Sequence, residues 1–350
     1  MIGTEKIQTM KENTLFFAAM YLEHNHIYGM CDGLIQGGGI LKSVYDPDKE
    51  KARSLAARFP GAKAVESEEE ILKDPEILLV AAAAVPCERC QVGIRCMEAG
   101  KDYFTDKGPF TALEQLELAR KKVEETGRKY MVYYSERLHS ECSVYAGQLV
   151  KAGAIGRVLS VTGLGPHRLG NPEERPEWFY EKARYGGIIC DIGSHQVEQF
   201  LYFTGCEDAK IESARTANYG HPQYPELEDY GDVMLTGDNG SAGYFRVDWF
   251  TPDGLSVWGD GRTLILGTEG YIELRKTVNV AADDPQGDLL ILVDKEGEKK
   301  ISCRGTTGYP FFGQLIRDCL DRTETAMTQA HVFKAAQIAL QCQEAADRRK

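Results

Sequence analysis

The sequence has no run of about 20 apolar residues of the kind a bilayer-spanning helix needs. Its opening stretch, MIGTEKIQTMKEN, is polar and has no apolar segment of the signal-peptide type. Both features predict a soluble, cytoplasmic protein. Positive charge is also scarce: 41 Lys and Arg stand against 53 Asp and Glu, for a formal net charge of −12. Nucleic acid and anionic membrane both call for a basic footprint, so neither is expected as a partner. Internal repeats, low-complexity tracts and long flexible linkers are missing. So is a metal-ligand framework. The ten cysteines are scattered, and their one dense cluster, Cys87, Cys90 and Cys96 in PCERCQVGIRC, holds a single C-x-x-C without a second pair or a nearby His-x-His. Small buried thiols in a reducing compartment account for that cluster, and no metal is assigned.

With 350 residues, the chain is long enough for two domains and a large core. Its first 135 residues alternate strand and helix patterns. TLFFAAMYL (14–22) and EILLVAAAAV (76–85) are continuous apolar runs of the buried-strand type, and ILKSVYD (40–46) and KYMVYYSER (129–137) are further strands. Ile27, Met30, Cys31, Leu34 and Ile35 keep helical spacing before the glycines at 37–39. Ser67 with Glu70, and Thr111 with Glu114, have capping-box spacing. Such alternation predicts a doubly wound parallel sheet, with ligands at the carboxyl ends of its strands. Tyr21, Asp46, Pro86 and Lys107 fall at those ends.

The second half is dominated by strand signals with hairpin turns such as Asp238-Asn239-Gly240 and Thr268-Glu269-Gly270, which predicts an α+β region with a large, mostly antiparallel open sheet. The expected domains are 1–136 and 137–350, with a last helix over 326–350 that can pack back on the first domain.

Two stretches carry chemistry. YGGIICDIGSH (185–195) places Asp191 and His195 four residues apart, on one face if a helix runs through them. A carboxylate beside an imidazole is a proton-transfer pair; a capping aspartate and a packed histidine fit the same spacing. YFTDKGPFTALEQL (103–116) ends a strand in Asp106-Lys107-Gly108-Pro109. A lysine pinned there suits a fixed cation near a hydroxyl or carbonyl oxygen.

These parts together resemble the glucose–fructose oxidoreductase, inositol dehydrogenase and rhizopine-catabolism (Gfo/Idh/MocA) family over nearly the whole chain. Asp106-Lys107, with Pro109 displaced, is similar to the family's Glu-Lys-Pro strand terminus. Gly186, Gly187, Asp191, Gly193 and His195 match its Gly-Gly-x-x-x-Asp-x-Gly-x-His helix start, and Ile155, Gly156 and Val158 its Ile-Gly-x-Val step. The resemblance implies an N-terminal Rossmann domain, an oligomerising C-terminal domain forming a homodimer or homotetramer, and NAD(H)-dependent hydride transfer to or from a hydroxyl of a sugar, cyclitol or related polyol. It implies His195 as proton acceptor in the oxidation direction, Lys107 at the reacting oxygen, and Asp191 orienting substrate and imidazole. Asp46 would accept from the adenosine ribose, favouring NAD over NADP because a carboxylate repels a 2′-phosphate. A glycosidase or lyase using transient oxidation by retained NAD, and a sugar-binding protein without cofactor, are the other function classes.

One element of the family pattern is absent. YLEHNHIYG puts Tyr21, Glu23 and His26 where the glycines of G-x-G-x-x-G belong. Amides of His24 to Tyr28 at the helix N-terminus, with His24 or His26 adding a donor, are the expected phosphate contacts. Substrate contacts are expected from Glu136, Arg137, His167, Arg168, Trp178 and Tyr185, since Arg and His suit hydroxyls and an aromatic face suits a sugar ring; salt-bridged loops or oligomer contacts would use the same side chains. DWFTPDGLSVWGDGR (248–262) is dense in polar and aromatic residues and could close a site or cover an interface.

Overall fold

The computed structural model describes residues 14–282 and 285–349. The polar N-terminal stretch and Lys350, the expected end of the last helix, lie outside them. The chain divides into two compact units that interleave in sequence. One comprises Met1–Pro109, Glu117–Tyr133 and Tyr309–Val332; the other comprises Phe110–Leu116, Tyr134–Gly308 and Phe333–Lys350.

The first unit runs β1 (Phe16–Met20), α1 (His26–Gln36), β2 (Ile40–Tyr45), α2 (Lys49–Arg58), β3 (Lys63–Ala64), α3 (Glu68–Leu72), β4 (Ile77–Ala82), α4 (Arg89–Glu98), β5 (Asp102–Asp106), α5 (Leu113–Thr126, which enters from the second unit's residues) and β6 (Tyr130–Tyr133). Its six strands pair in the order β3-β2-β1-β4-β5-β6, all parallel. Phe17 to Met20 and Leu79 to Ala82 are fully buried, which is why these strands read as unbroken apolar runs rather than alternating ones. The strand order reverses between β1 and β4, the position at which doubly wound sheets bind ligands. The capping box at Ser67 forms: the Glu70 carboxylate accepts from Ser67 N–H at 3.1 Å. The one expected at Thr111 does not, because Gln115 rather than Glu114 accepts from Thr111 N–H, at 2.9 Å. The strand expected over 129–137 stops at Tyr133. Ser135–Leu138 turn into a short helix, α6, where the apolar run gives way to Ser-Glu-Arg.

The second unit continues with α7 (Glu141–Lys151), β7 (Val158–Pro166), α8 (Lys182–Tyr185), α9 (Ile188–Asp191), α10 (Gly193–Thr204), β8 (Ala209–Ala217), β9 (Tyr230–Gly237), β10 (Ala242–Asp248), β11 (Arg262–Gly267), β12 (Gly270–Arg275), β13 (Leu289–Asp294) and β14 (Gly297–Ser302). Two helices follow: α11 (Pro310–Asp321) belongs to the first unit, and α12 (Gln329–Asp347) has most of its length in the second. The eight strands pair in the order β14-β13-β12-β11-β7-β10-β9-β8, and every pairing is antiparallel except β7 with β10. Glycines in β7 let α10 lie close on this sheet. A Cβ on Gly163 would stand 2.1 Å from Gln196 Oε1, and one on Gly165 2.9 Å from Gln196 Nε2. The other face of the sheet carries exposed Met234, Tyr244, Leu264, Leu266 and Tyr271. No helix among the described residues is long and apolar enough to cross a membrane.

Candidate functional site

In the first unit, the carboxyl ends of β4 and β5 converge on one buried arginine. Arg89, at the start of α4 and 1% exposed, donates from Nε to Ala84 O at 2.8 Å and from its terminal nitrogens to Lys107 O, to Gly108 O at 3.1 Å and to Asp106 Oδ2 at 3.2 Å. It thereby fixes the backbone on both sides of Lys107, itself buried. Asp106 is also met by His26, whose Nδ1 lies 2.7 Å from Oδ1, and by His24, whose Nδ1 lies 3.4 Å from Oδ2. Burial alone would favour the protonated acid, but His26, Arg89 and His24 outweigh it and hold the Asp106 carboxyl well below the usual carboxylate range. These ligand atoms of His24, His26 and Asp106 lie within 4.8 Å of one another, which a metal ion could exploit. The Arg89 guanidinium already supplies Asp106 with its countercharge, so the cluster is electrostatically complete as it stands.

Burial, followed by the neighbouring His26, Lys107 and Arg89, pushes His24 well below the usual histidine value. The sign of the consequence follows from linkage. A histidine kept neutral in the fold but free to protonate when unfolded removes stability as pH falls below about 6.5. The urea midpoint should therefore drop between about pH 7.5 and about pH 5.5, and drop less in His24→Asn, which retains an acceptor for His26 N–H. Equal drops in the two proteins would remove His24 from the pH dependence.

The segment replacing the glycines keeps the turn but not the open amides. Tyr21 adopts φ +54°, the left-handed conformation glycine would supply, at a cost of about 1–2 kcal/mol. It is held by Tyr21 N–H to Tyr45 O at 3.0 Å and by its phenol, which donates to Glu68 at 2.5 Å and accepts from Arg95 at 3.0 Å. Glu23 turns to Lys51, 2.9 Å away. The amides expected to meet phosphate are engaged within the protein: His24 N–H donates to Ala83 O, His26 N–H to His24 Nδ1, Ile27 N–H to His24 O and Tyr28 N–H to Asn25 O, at 3.1–3.2 Å. Four of the five amides expected to meet phosphate are thus bonded within the protein. Asp46 is buried, its two oxygens accepting from Leu22 N–H at 2.6 Å and Asp48 N–H at 2.8 Å. Pro86 is buried and opens a short 3₁₀ turn after β4. In the cysteine cluster, Cys90 and Cys96 are buried, and burial pushes the Cys90 thiol up to about 12, where it stays protonated.

In the second unit, α9 and α10 run through Asp191 and His195 with Ile192 in helical geometry between them. His195, 1% exposed, donates its N–H to Ile192 O at 3.2 Å, and the Ser194 hydroxyl takes Asp191 O at 2.8 Å. Gly186 and Gly187 adopt φ +88° and +93°. A Cβ on Gly187 would strike the Gln343 carboxamide at 2.3 Å, so this glycine serves internal packing rather than a ligand's approach.

The six residues proposed for substrate separate sharply. Arg137 pairs with Glu198 at 2.7 and 2.9 Å and lies 3.9 Å over the Tyr202 ring. Arg168 donates to Pro252 O, Leu255 O and Val257 O, clamping a loop. The Tyr185 phenol donates to Glu226 O at 2.9 Å and accepts from Glu228 N–H at 3.0 Å, and Trp178 is buried with its ring centroid 6.0 Å from that of Phe179. All four are engaged in holding the unit together. Glu136 and His167 differ. His167 packs 4.4 Å from Trp258 and 5.5 Å from Trp249, both from the aromatic-rich 248–262 stretch. Glu136 is buried and accepts at Oε2 from Gln196 at 2.7 Å, Gln199 at 3.3 Å and Lys276 at 3.0 Å. Burial opposes its charge, but Lys276, His195 and His167 overcome this and bring its pKa down to about 2. Lys276, Gln196, Gln199 and Arg89 carried no sequence signal, since each is a lone polar residue in an otherwise ordinary stretch.

Residues 17–134 match the profile of an oxidoreductase family with an NAD-binding Rossmann fold, and residues 144–273 match that of the GFO/IDH/MocA C-terminal domain. The chain belongs to the GFO/IDH/MocA family. A crystal structure from Erwinia carotovora atroseptica SCRI1043, designated only in general terms as an oxidoreductase, is 49% identical with a TM-score of 0.91, covering 95% of this chain and 98% of that one. The scyllo-inositol 2-dehydrogenase (NAD(+)) of Bacillus subtilis strain 168 is 28% identical over 243 residues, 67% of this chain and 66% of that relative. The matched stretch thus spans just under two thirds of that relative's length. A levoglucosan dehydrogenase solved in complex with NADH shares the fold, with a TM-score of 0.79 at 18% identity, covering 96% of this chain and 97% of that one.

The donor set fits a dinucleotide of the kind this GFO/IDH/MocA fold implies, in an altered form. At the end of β5 the cations Arg89 and Lys107 outnumber the carboxylate of Asp106, and the imidazoles of His24 and His26, 29% and 30% exposed, stand beside it. A dianionic pyrophosphate is compatible with that balance.

Proposed function

We propose that this chain is an NAD(H)-dependent oxidoreductase acting on a hydroxyl or carbonyl carbon of a sugar, cyclitol or related polyol. The observation that carries this reading is a buried histidine, His195, under the influence of a carboxylate held anionic, Glu136, in a chain of an NAD-binding oxidoreductase family. When bound, the nicotinamide ring supplies the hydride acceptor or donor. His195 takes the hydroxyl proton in the oxidation direction and returns it in reduction, which avoids a bare alkoxide. Asp191 orients the substrate beside it, Lys107 provides a fixed cation for the developing negative charge on oxygen, and Glu136 and His167 contact the remaining hydroxyls. His24 and His26 contact the pyrophosphate, with Tyr21 and Pro86 shaping its seat, and Asp46 accepts from the adenosine ribose through the free lone pairs of its oxygens. That carboxylate disfavours a 2′-phosphate, so NAD is the preferred cofactor.

The same reading includes a homo-oligomer, supported by the exposed Met234, Tyr244, Leu264, Leu266 and Tyr271 on one sheet face, and light scattering in solution decides it. A cytoplasmic location accords with buried, protonated thiols such as Cys90.

Calorimetric titration with NAD and NADP, after checking the purified protein for retained nucleotide, tests the cofactor assignment. The expected result is NAD bound at least tenfold more tightly than NADP, or NAD released on denaturation, roughly 1.4 kcal/mol of discrimination or more. No heat with either nucleotide and none retained would end the redox reading.

A further inference from the structure

Glu136 is unusual in how its two oxygens are used. Oε2 receives three donors, from Gln196, Gln199 and Lys276 at 2.7, 3.3 and 3.0 Å. Oε1 is buried and has no hydrogen-bond partner. Leaving a buried charged acceptor unmet is costly, so an atom of this kind inside a native fold calls for an explanation. Its surroundings are built with care. Lys276, itself buried, also donates to Gln199 Oε1 at 2.6 Å, and Thr263 donates to that same oxygen at 3.2 Å. Gln199 Nε2 in turn reaches His195 O at 3.0 Å. Donors from α10, the helix that bears His195, and from the end of β12 therefore hold the carboxylate that α6 presents.

We propose that Glu136 Oε1 is the acceptor for a hydroxyl of the substrate, that Lys276 is the positioning residue that holds this carboxylate, and that the pair selects neutral polyols over sugar acids. This inference rests on the polyol reading above and deepens it. The occupant's chemistry follows from charge. Lys276 already neutralises the carboxylate, so a cationic ligand would find its countercharge spent. The carboxylate of an anionic ligand placed beside this oxygen would be repelled by it. A neutral O–H satisfies Oε1 without disturbing the ion pair. A purely structural pair would leave no oxygen over, since the same donors could have been shared between both.

The test uses the full-length, cofactor-loaded protein, with scyllo-inositol, D-xylose and D-glucose as neutral probes and D-glucuronate as the acid. Glu136→Gln alone strands Lys276 as a buried unpaired cation and can fail to fold. The double variant Glu136→Gln with Lys276→Met is neutral and nearly isosteric, and should melt near the wild type. In the double variant KM for the neutral probe turned over best should rise about 10- to 100-fold, with NAD affinity unchanged and with kcat falling by a smaller factor than KM rises, because the lost charge also acts on His195. Wild-type KM in the double variant would reduce the pair to core structure and overturn the inference. So would a wild type that prefers D-glucuronate. If no nucleotide binds, the redox reading fails on its own. The same neutral sugars titrated calorimetrically into wild type and double variant then decide this inference: binding weakened in the double variant supports it, and no binding to the wild type, or equal binding, overturns it.

Discussion

Replacing His195 with alanine is expected to lower kcat by about 10²- to 10⁴-fold, the usual contribution of a positioned general acid–base group, while NAD binding and the fold are retained. The structure makes this a clean experiment. His195 contributes to α10 through its main chain, donating to Ile192 O and receiving Gln199 Nε2 at its carbonyl, and alanine preserves both bonds. What alanine removes is the imidazole, which lies under the field of Glu136 and packs edge-on to Tyr134 with centroids 6.3 Å apart. Steady-state kinetics against the nicotinamide absorbance reads the loss, and calorimetry reads cofactor affinity. Turnover within a few-fold of the wild type would take His195 out of the proton path. A parallel loss of cofactor affinity would mean that the ring holds structure rather than a proton.

The sheet was legible for a simple reason. Strands buried on both faces carry unbroken apolar runs, and Phe17–Met20 and Leu79–Ala82 have them. Hairpins were legible because Asn239-Gly240 encodes a turn locally, with Gly240 at φ +82°. Side-chain engagement was not, because it depends on partners distant in sequence. Arg168 looks like a substrate ligand until its guanidinium is seen clamping the carbonyls of residues 252–257. Tyr185 looks like one until Glu226 and Glu228, some forty residues later, use both capacities of its phenol. Glu136 was visible as a candidate, but its partner Lys276 stands 140 residues away with nothing local to mark it.

The replaced glycines make the same point from the other side. By sequence, tyrosine at position 21 argues against a tight turn. Tertiary bonds to Tyr45, Glu68 and Arg95 nonetheless hold it in the left-handed region. The left-handed turn is kept at Tyr21, while the amides of His24, His26, Ile27 and Tyr28 are bonded within the protein. Composition reveals the loss of glycine; only the geometry reveals which half of its role was kept.

Arg89→Met carries the second large effect, and it falls on stability. The side chain is almost wholly buried and ties Ala84 O, Lys107 O, Gly108 O and Asp106 together. Methionine fills similar volume but leaves three carbonyls short of a donor and Asp106 without its guanidinium. Removing one partner of a buried pair costs about 3–5 kcal/mol, which for a chain of this size lowers Tm by roughly 4–7 °C. Asp106 retains His26 and His24, so the carboxylate is not wholly abandoned, and its pKa should rise towards the ordinary range as the countercharge is lost. Adding Asp106→Asn to Arg89→Met tests the cause. If the unpaired carboxylate dominates the penalty, the double variant regains a large part of the lost stability; if the orphaned carbonyls dominate, it regains little. Thermal and urea unfolding of the three proteins separates these outcomes. A Tm for Arg89→Met equal to that of the wild type would show that the two histidines alone suffice to hold Asp106, and that the strand ends around Lys107 are fixed by something other than the arginine.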